Sequence, residues 1–408
     1  MRRTGIVMTA VGAVLLVGAL IWSTVAVPQL VRFPLDTNQH LQYTGSLVTY
    51  VNQQTGASLA KPASVPLVVD RHIQAQADES TSGVAIVKEQ LVPRFSGTWS
   101  PETNVYALDR RQMSNVANDK AYTFAPGNPG AAPGSYYVTL PMNLDKNTTG
   151  LRIWKPETGT TYPLEPLPSG KQPSKLDGLS VIWFRGTLPM TPVASYEAKA
   201  LVARGLPATI APAVVEAELS AKGISVPALT TALTRVLSAS QLKAVAAVLS
   251  TPIQLKYYSF GTGLVGTEPT TGAIIDLRNV VDGIAVAPNT SGLKVLVGVL
   301  SQHTAVPGVP AALTALRQLA GAPPQRVYEL RYTETPASVT SMVNTANSQL
   351  NQISIVTGYI PWTAVGLGGL LLIGGVVLWF FGRRPPGHEA RAGEEPGGAE
   401  PGTTPSAA

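Results

Sequence analysis

The sequence predicts an α+β protein: a β-rich extracytoplasmic domain with a helical insertion, flanked by N- and C-terminal transmembrane helices. Three observations predict it. Apolar runs stand near both ends of the 408 residues, each long enough to cross a bilayer. Between them lie short β-branched or alternating runs bounded by Gly, Pro, Asn and Asp. Residues 195–250 interrupt that pattern with helical periodicity and helix-start signals.

Residues 1–5, with Arg2 and Arg3, read as a cytoplasmic N-terminus, and residues 6–27 as a membrane helix with Trp22 near its outer end. A cleavable signal peptide competes, with Thr24-Val25-Ala26 as its cleavage site. The apolar run of about 22 residues exceeds the usual signal core of about 7–15, which favours an uncleaved helix. At the other end no charged side chain stands between Glu334 and Arg383. Residues 359–381 rise about 34 Å as a helix, against a hydrocarbon core of about 30 Å. Tyr359 and Trp362 flank one end, and Trp379, Phe380 and Phe381 the other, before Arg383-Arg384. The arginines place both chain ends in the cytoplasm and everything between the helices outside, so the expected location is the plasma membrane, crossed twice. Ala364, Gly368 and Gly375 form a small-residue face, expected to meet the first helix along Val14–Ala19.

Residues 28–194 form the first part of the β-rich domain. Its expected strands include Ser46–Val51, Gly83–Val87, Tyr136–Leu140 and Leu179–Phe184. A Thr-Gly pair ends each of three polar turns, at Gly56, Gly159 and Gly272, where glycine supplies a positive φ. In the insertion, 195–250, helices are expected over Pro212–Lys222, from Pro227, and from a Ser240 cap. The second β-rich part, 251–334, carries strand material over Ile253–Val299 and Val327–Tyr332, with one short helix over Pro310–Ala320. The lead-in, 335–358, opens on a Thr335 cap with Pro336 at the first helical position; Val339, Met342, Val343, Ala346 and Leu350 recur on one face. With no Lys or Arg on its polar face, this helix is expected to pack on its own domain, and Gly358 and Pro361 to kink its exit. Residues 382–408, rich in Pro, Gly, Ala and Glu, read as a disordered cytoplasmic tail.

Composition excludes several classes. There is no cysteine, so neither disulfides nor thiolate metal sites exist. Charged residues make up 13% and are scattered singly, without the basic clusters and interleaved aromatics of a nucleic-acid groove. Gly261-Thr-Gly-Leu-Val-Gly266 fits G-x-G-x-x-G, but a turn follows it instead of a helix, so it reads as strand. His40, His72, His303 and His388 lack metal-ligand spacing, and Ser180 sits in a strand without a nucleophile elbow. Asp109 beside Arg110 and Arg111 reads as a turn salt bridge. Asn147 and Asn289 match the glycosylation acceptor. No catalytic, cofactor or metal residues are assigned, and the chain is not expected to be an enzyme.

Five segments in order carry a resemblance: Val31-Arg-Phe-Pro-Leu-Asp36, Tyr106-Ala-Leu-Asp-Arg-Arg111, Leu176-Asp-Gly-Leu-Ser-Val-Ile-Trp-Phe184, Glu268-Pro-Thr-Thr-Gly-Ala-Ile-Ile-Asp276 and Arg331-Tyr-Thr-Glu-Thr-Pro-Ala-Ser-Val339. Together they resemble the PorA family of actinobacterial membrane proteins. The chain departs from the family at Gln112-Met-Ser114 and in its long helical insertion. The resemblance implies a cell-envelope protein and brings a porin label, with no catalytic residues. The expected partners are the membrane, a lipid or other hydrophobic ligand, and an envelope protein. The apolar character of both membrane helices favours binding or transport of such a ligand over a pore. The expected pocket lies between sheet and helical insertion.

Overall fold

The computed structural model describes residues 2–51, 58–95, 101–117, 130–168, 170–221 and 223–381. The chain opens with α1 (Arg2–Ile21), a π turn over Trp22–Ala26 and α2 (Val27–Leu30). Four long strands follow: β1 (Asn38–Val51), β2 (Ser58–Gln76), β3 (Val84–Arg94) and β4 (Glu102–Asp109). Then come β5 (Arg152–Lys155), β6 (Thr160–Pro166), β7 (Lys175–Leu176), β8 (Leu179–Ser180) and β9 (Ile182–Pro192). The insertion supplies α3 (Ser195–Ala203), β10 (Thr209–Ile210), α4 (Pro212–Ala221), α5 (Val226–Leu233) and α6 (Ala239–Ser250). After β11 (Ile253–Thr267) and β12 (Ile274–Pro288) stand α7 (Ser291–Ser301) and α8 (Val309–Gly321). β13 (Gln325–Glu334), α9 (Pro336–Ser354), a second π turn over Ile355–Tyr359 and α10 (Ile360–Phe381) complete the chain.

Val31–Ile353 is one unit, and its frame is a curled antiparallel sheet. The strand order is β4-β3-β2-β1-β13-β12-β11-β9-β6-β5, with β10 on β11. Its two edges are joined through irregular chain. Asp109 N–H donates to Ser114 O and Val116 N–H to Ala107 O, which fastens residues 114–116 to β4. Asn115 N–H donates to Ser135 O, Tyr136 N–H to Arg152 O, and Trp154 N–H to Tyr136 O, at 2.7–2.8 Å. Backbone hydrogen bonds therefore run round the whole circuit, and both edges that would otherwise present unpaired groups are covered.

Alternation decides which side chains face inward. On β13 these are Tyr328, Leu330 and Tyr332; on β12, opposite them, Ile284, Asp282 and Val280. The outer face carries exposed Gln42, Thr44, Gln74, Lys88, Glu165, Arg185, Thr187 and Arg331. A membrane-spanning barrel would need an apolar band there.

Helices meet the two ends of the ring. Met342, Val343 and Ala346 of α9 share a core with Leu41, Tyr43, Ile73, Val87, Tyr106 and Trp154. At the opposite ends of β1, β12 and β13, Leu201 of α3 packs with Val51, Ile284 and Val327. Thr335 Oγ1 accepts the Ser338 N–H, so the expected cap and the expected inward face of the lead-in helix are both present. A separate helical core joins Leu233, Leu237 and Val245 to Leu293, Leu296, Leu300, Leu313 and Leu316. The helical part thus draws on two stretches. Ser291–Val299, expected as strand, is α7: Leu293, Leu296 and Leu300 stack on one helical face, and burial of that face overrides the β-prone valines.

Other boundaries move for local reasons. The third insertion helix is capped by Ser238, not Ser240, because Ser238 forms a reciprocal capping box with Gln241. Tyr136–Leu140 is no strand and touches β5 through one bridge at Tyr136. Leu179–Phe184 breaks at Val181, whose N–H donates to Ser174 O. Gly159 and Gly272 take φ of +63° and +74°, as their turns require. A Cβ on Gly272 would lie 2.6 Å from Pro141 O, so glycine is needed there for space as well. Gly56 and residues 382–408 lie outside the described residues.

The described residues of Met1–Leu30 and Ser354–Ala408 form the second unit. α1 and α10 pack antiparallel through glycines. A Cβ on Gly12 would come within 2.6 Å of Gly368 O, and one on Gly375 within 2.7 Å of Gly5 O. Gly368 faces Gly12, Leu15 and Leu16, so the partner is the expected helix, with the contact reaching further toward its start. Trp22 Nε1 donates to Val356 O at 3.0 Å. Each helix has a π turn two residues before a proline, Pro28 and Pro361; the wider turn relieves the ring's clash with the preceding turn, so the expected kink at Pro361 is a π turn in a continuous helix.

Candidate functional site

Between its two helix-capped ends the ring holds a partly open chamber of about 240 Å³. Leu188, Val265, Leu277, Val280 and Leu330 supply apolar wall, and Tyr43, Tyr137, Tyr162, Tyr328 and Tyr332 line it with aromatic rings. Gly261 and Gly263, from the G-x-G-x-x-G stretch, also line it. They lie in β11, where Gly261 pairs with both β9 and β12 and Gly263 with β9, which fixes the stretch as strand. A Cβ on Gly261 would stand 2.7 Å from Val281 O.

Charges enter this wall from five directions. Lys155, at the end of β5, bonds Asp282 of β12 at 2.5 Å and Glu157, in the following turn, at 3.0 Å. Arg204, just past α3, bonds Glu102 of β4 at 3.2 Å. Glu197, on the first turn of α3, is 2% exposed, and its Oε2 has no hydrogen-bond partner. Oε2 of Glu157 is likewise buried and unpartnered. Burial pushes Glu197 up to about 8, helped by the Glu157 charge and opposed by Arg204. Burial also pushes Glu102 up to about 7, against the pull of Arg204. For Lys155 burial disfavours the charge, yet Asp282 and Glu157 outweigh it and raise its pKa well above the usual lysine value.

A second pair borders the chamber on the α9 side. Arg71 Nε donates to Glu89 Oε1 at 2.6 Å, and Glu89 is fully buried. Asn104 Nδ2 at 3.1 Å and Tyr106 Oη at 3.2 Å both donate to Glu89 Oε2. Arg71 also lies 5.6 Å from the Tyr137 ring centroid. This buried network holds four side chains in one arrangement, with both Glu89 oxygens partnered.

The features singled out in the sequence take other places. His40 and His72, far apart in sequence, stack at 4.0 Å as cross-strand partners on β1 and β2. Among the described residues no group of His, Cys, Asp and Glu is arranged to hold a metal ion. Asp109 Oδ1 accepts the N–H groups of Arg111 and Gln112, making a turn in place of the expected salt bridge. Ser180 sits in β8; Asn147 and Asn289 lie in turns whose side-chain bonds are local. The chamber, not anticipated in this form, takes only α3 and Arg204 from the insertion; strands supply the rest apart from Tyr137 and Glu157, which stand in irregular chain and a turn.

One family model, described as Porin PorA, matches residues 4–377. No curated protein matches the chain.

Proposed function

The chain belongs to the Porin PorA family, and from that premise we propose that it is a membrane-anchored envelope protein whose ring domain binds a small amphiphilic molecule, without catalysing a reaction. The observation that carries this reading is the chamber: walled by strands, partly open, and lined by apolar side chains with convergent polar groups. The porin label is the competing reading. Exposed polar side chains on the outer face of the ring, such as Gln42, Lys88 and Arg185, oppose lipid contact there, and the lumen holds packed side chains such as Tyr43, Tyr106 and Trp154.

Membrane attachment rests on α1 and α10. Their apolar side chains point outward: Val14 is 70% exposed, Leu370 71% and Phe381 83%. A soluble protein would bury such surface. Antiparallel packing puts Gly5 beside Gly375, which agrees with two crossings and both chain ends on the cytoplasmic side. The ring domain is then extracytoplasmic, and a lipid or envelope molecule is the ligand source.

Native mass spectrometry of the full chain, released from nanodiscs, tests the binding reading. The wild type should carry a small non-covalent adduct after exposure to an envelope extract. Leu330→Trp, which fills the chamber from β13, should lose it. An adduct unchanged by that substitution, or none at all, overturns the reading.

A further inference from the structure

The chamber's charge balance indicates what it takes. Five carboxyls, Glu89, Glu102, Glu157, Glu197 and Asp282, line or border it, against three cations, Arg71, Lys155 and Arg204. Arg71 is committed to Glu89, Arg204 bonds Glu102, and Lys155 is shared between Asp282 and Glu157. Glu197 takes part in no ion pair among the described residues and keeps an unpartnered oxygen in the chamber wall, although it is 2% exposed. A buried carboxyl oxygen without a donor costs several times a typical net hydrogen bond, so its persistence points to a donor supplied from outside the chain. The second unpartnered oxygen, Glu157 Oε2, belongs to the same wall.

We propose that the chamber binds an organic ammonium ion: an amine nitrogen seated at Glu197 and Glu157, with a compact apolar body against Leu188, Val265, Leu277 and Leu330. The inference rests on the binding reading above and names its ligand class. An ammonium group supplies three donors and one positive charge, which matches two orphan carboxyl oxygens and the excess of acid. Size sets the body. A dry cavity of about 150 Å³ holds benzene, so a chamber of about 240 Å³ suits roughly ten non-hydrogen atoms. The nitrogen belongs either to a free amine or to the ethanolamine headgroup of a lipid.

Without a ligand the chamber handles its excess acid by holding protons, since burial raises both Glu197 and Glu102. The groups facing Glu197 are Glu102 from β4, Lys155 and Glu157 from β5 and its turn, Asp282 from β12, Tyr328 from β13 and Arg204 beside α3. An entering ammonium favours the carboxylate form, so binding near pH 7 releases protons.

Calorimetry on the full chain in phosphatidylcholine nanodiscs tests this with three probes of one shape: 3-phenylpropylamine, 3-phenylpropanol and 3-phenylpropanoate. The amine should bind at least about tenfold tighter than the alcohol, and the carboxylate weakest. Titration in two buffers of different ionisation enthalpy should show net proton release with the amine and none with the alcohol. Glu197→Gln, which keeps the shape, should weaken the amine about tenfold and leave the alcohol nearly unchanged. Weakened amine binding in nanodiscs containing phosphatidylethanolamine assigns the lipid as source; unchanged binding assigns a free amine. If alcohol and amine bind equally, the binding reading stands and the ammonium inference falls. If no probe binds, both fall.

Discussion

Arg71→Met removes one partner of the most deeply buried ion pair and keeps most of the side-chain volume. Glu89, fully buried, would lose the 2.6 Å contact and retain only Asn104 and Tyr106 as donors. Removing one partner of a buried pair costs about 3–5 kcal/mol, because the remaining charge is left uncompensated. The second substitution of the cycle is Glu89→Gln, whose amide oxygen still accepts from Asn104 and Tyr106 and carries no charge. The double variant should lie within about 1–2 kcal/mol of the wild type, giving a coupling of at least about 2 kcal/mol. Arg94→Met is the reference: its pair with Asp70 is 69% exposed on the arginine side and should contribute about 0–1 kcal/mol. Urea unfolding of the full chain, followed by near-ultraviolet circular dichroism, reads the four variants. If Arg71→Met costs no more than Arg94→Met, or if the double variant costs the sum of the singles, the network is not what holds the ring at that level.

Stability should fall as pH rises. Glu197, Glu102 and Glu334 have folded pKa values of about 8, about 7 and about 8, all raised first by burial from an ordinary 4.5. Their protons bind more tightly in the folded chain, so this stabilisation is full below about 4.5 and is lost through 7 to 8. Tm should therefore decline between pH 5 and 9, less steeply in Glu197→Gln; an identical slope in that variant refutes the assignment. Leu15→Cys with Gly368→Cys should form an intramolecular disulfide, since a Cβ at Gly368 would stand 3.1 Å from that of Leu15. Val14→Cys, 70% exposed, should not pair with it, and equal yields would contradict the helix packing. In a chain without cysteine, Ser64→Cys and Ser174→Cys should react with an impermeant maleimide on spheroplasts and Ser406→Cys should not; labelling of Ser406→Cys in sealed cells would refute the two-crossing topology.

Much of the ring was legible in the sequence because alternation and turn chemistry are local. The Gly159 and Gly272 turns, with φ of +63° and +74°, follow from residue type alone. Closure of the ring was not legible. It depends on backbone groups of residues 114–116 and 134–136, which carry no repeating pattern. α7 was missed because Val295, Val297 and Val299 alternate along it as in a strand, and its buried face forms only when α6 and α8 lie beside it. The chamber's charges stand singly in the sequence and read as ordinary surface. One signal was available: Asp282 falls at an inward position between Val280 and Ile284, where alternation expects an apolar side chain. Glu197 offers no such signal, since an acid in the first turn of a helix is common for dipole reasons.

Planar bilayer recording of the purified full chain tests the central claim, that the ring is a binding chamber and not a conduit. Outward polar side chains, a lumen narrowed by packed side chains and two helices with uncharged apolar spans predict no conductance above background at any voltage or protein density. Discrete, reproducible channel openings from the purified protein, abolished by Leu330→Trp, would contradict it and make the lumen a pore.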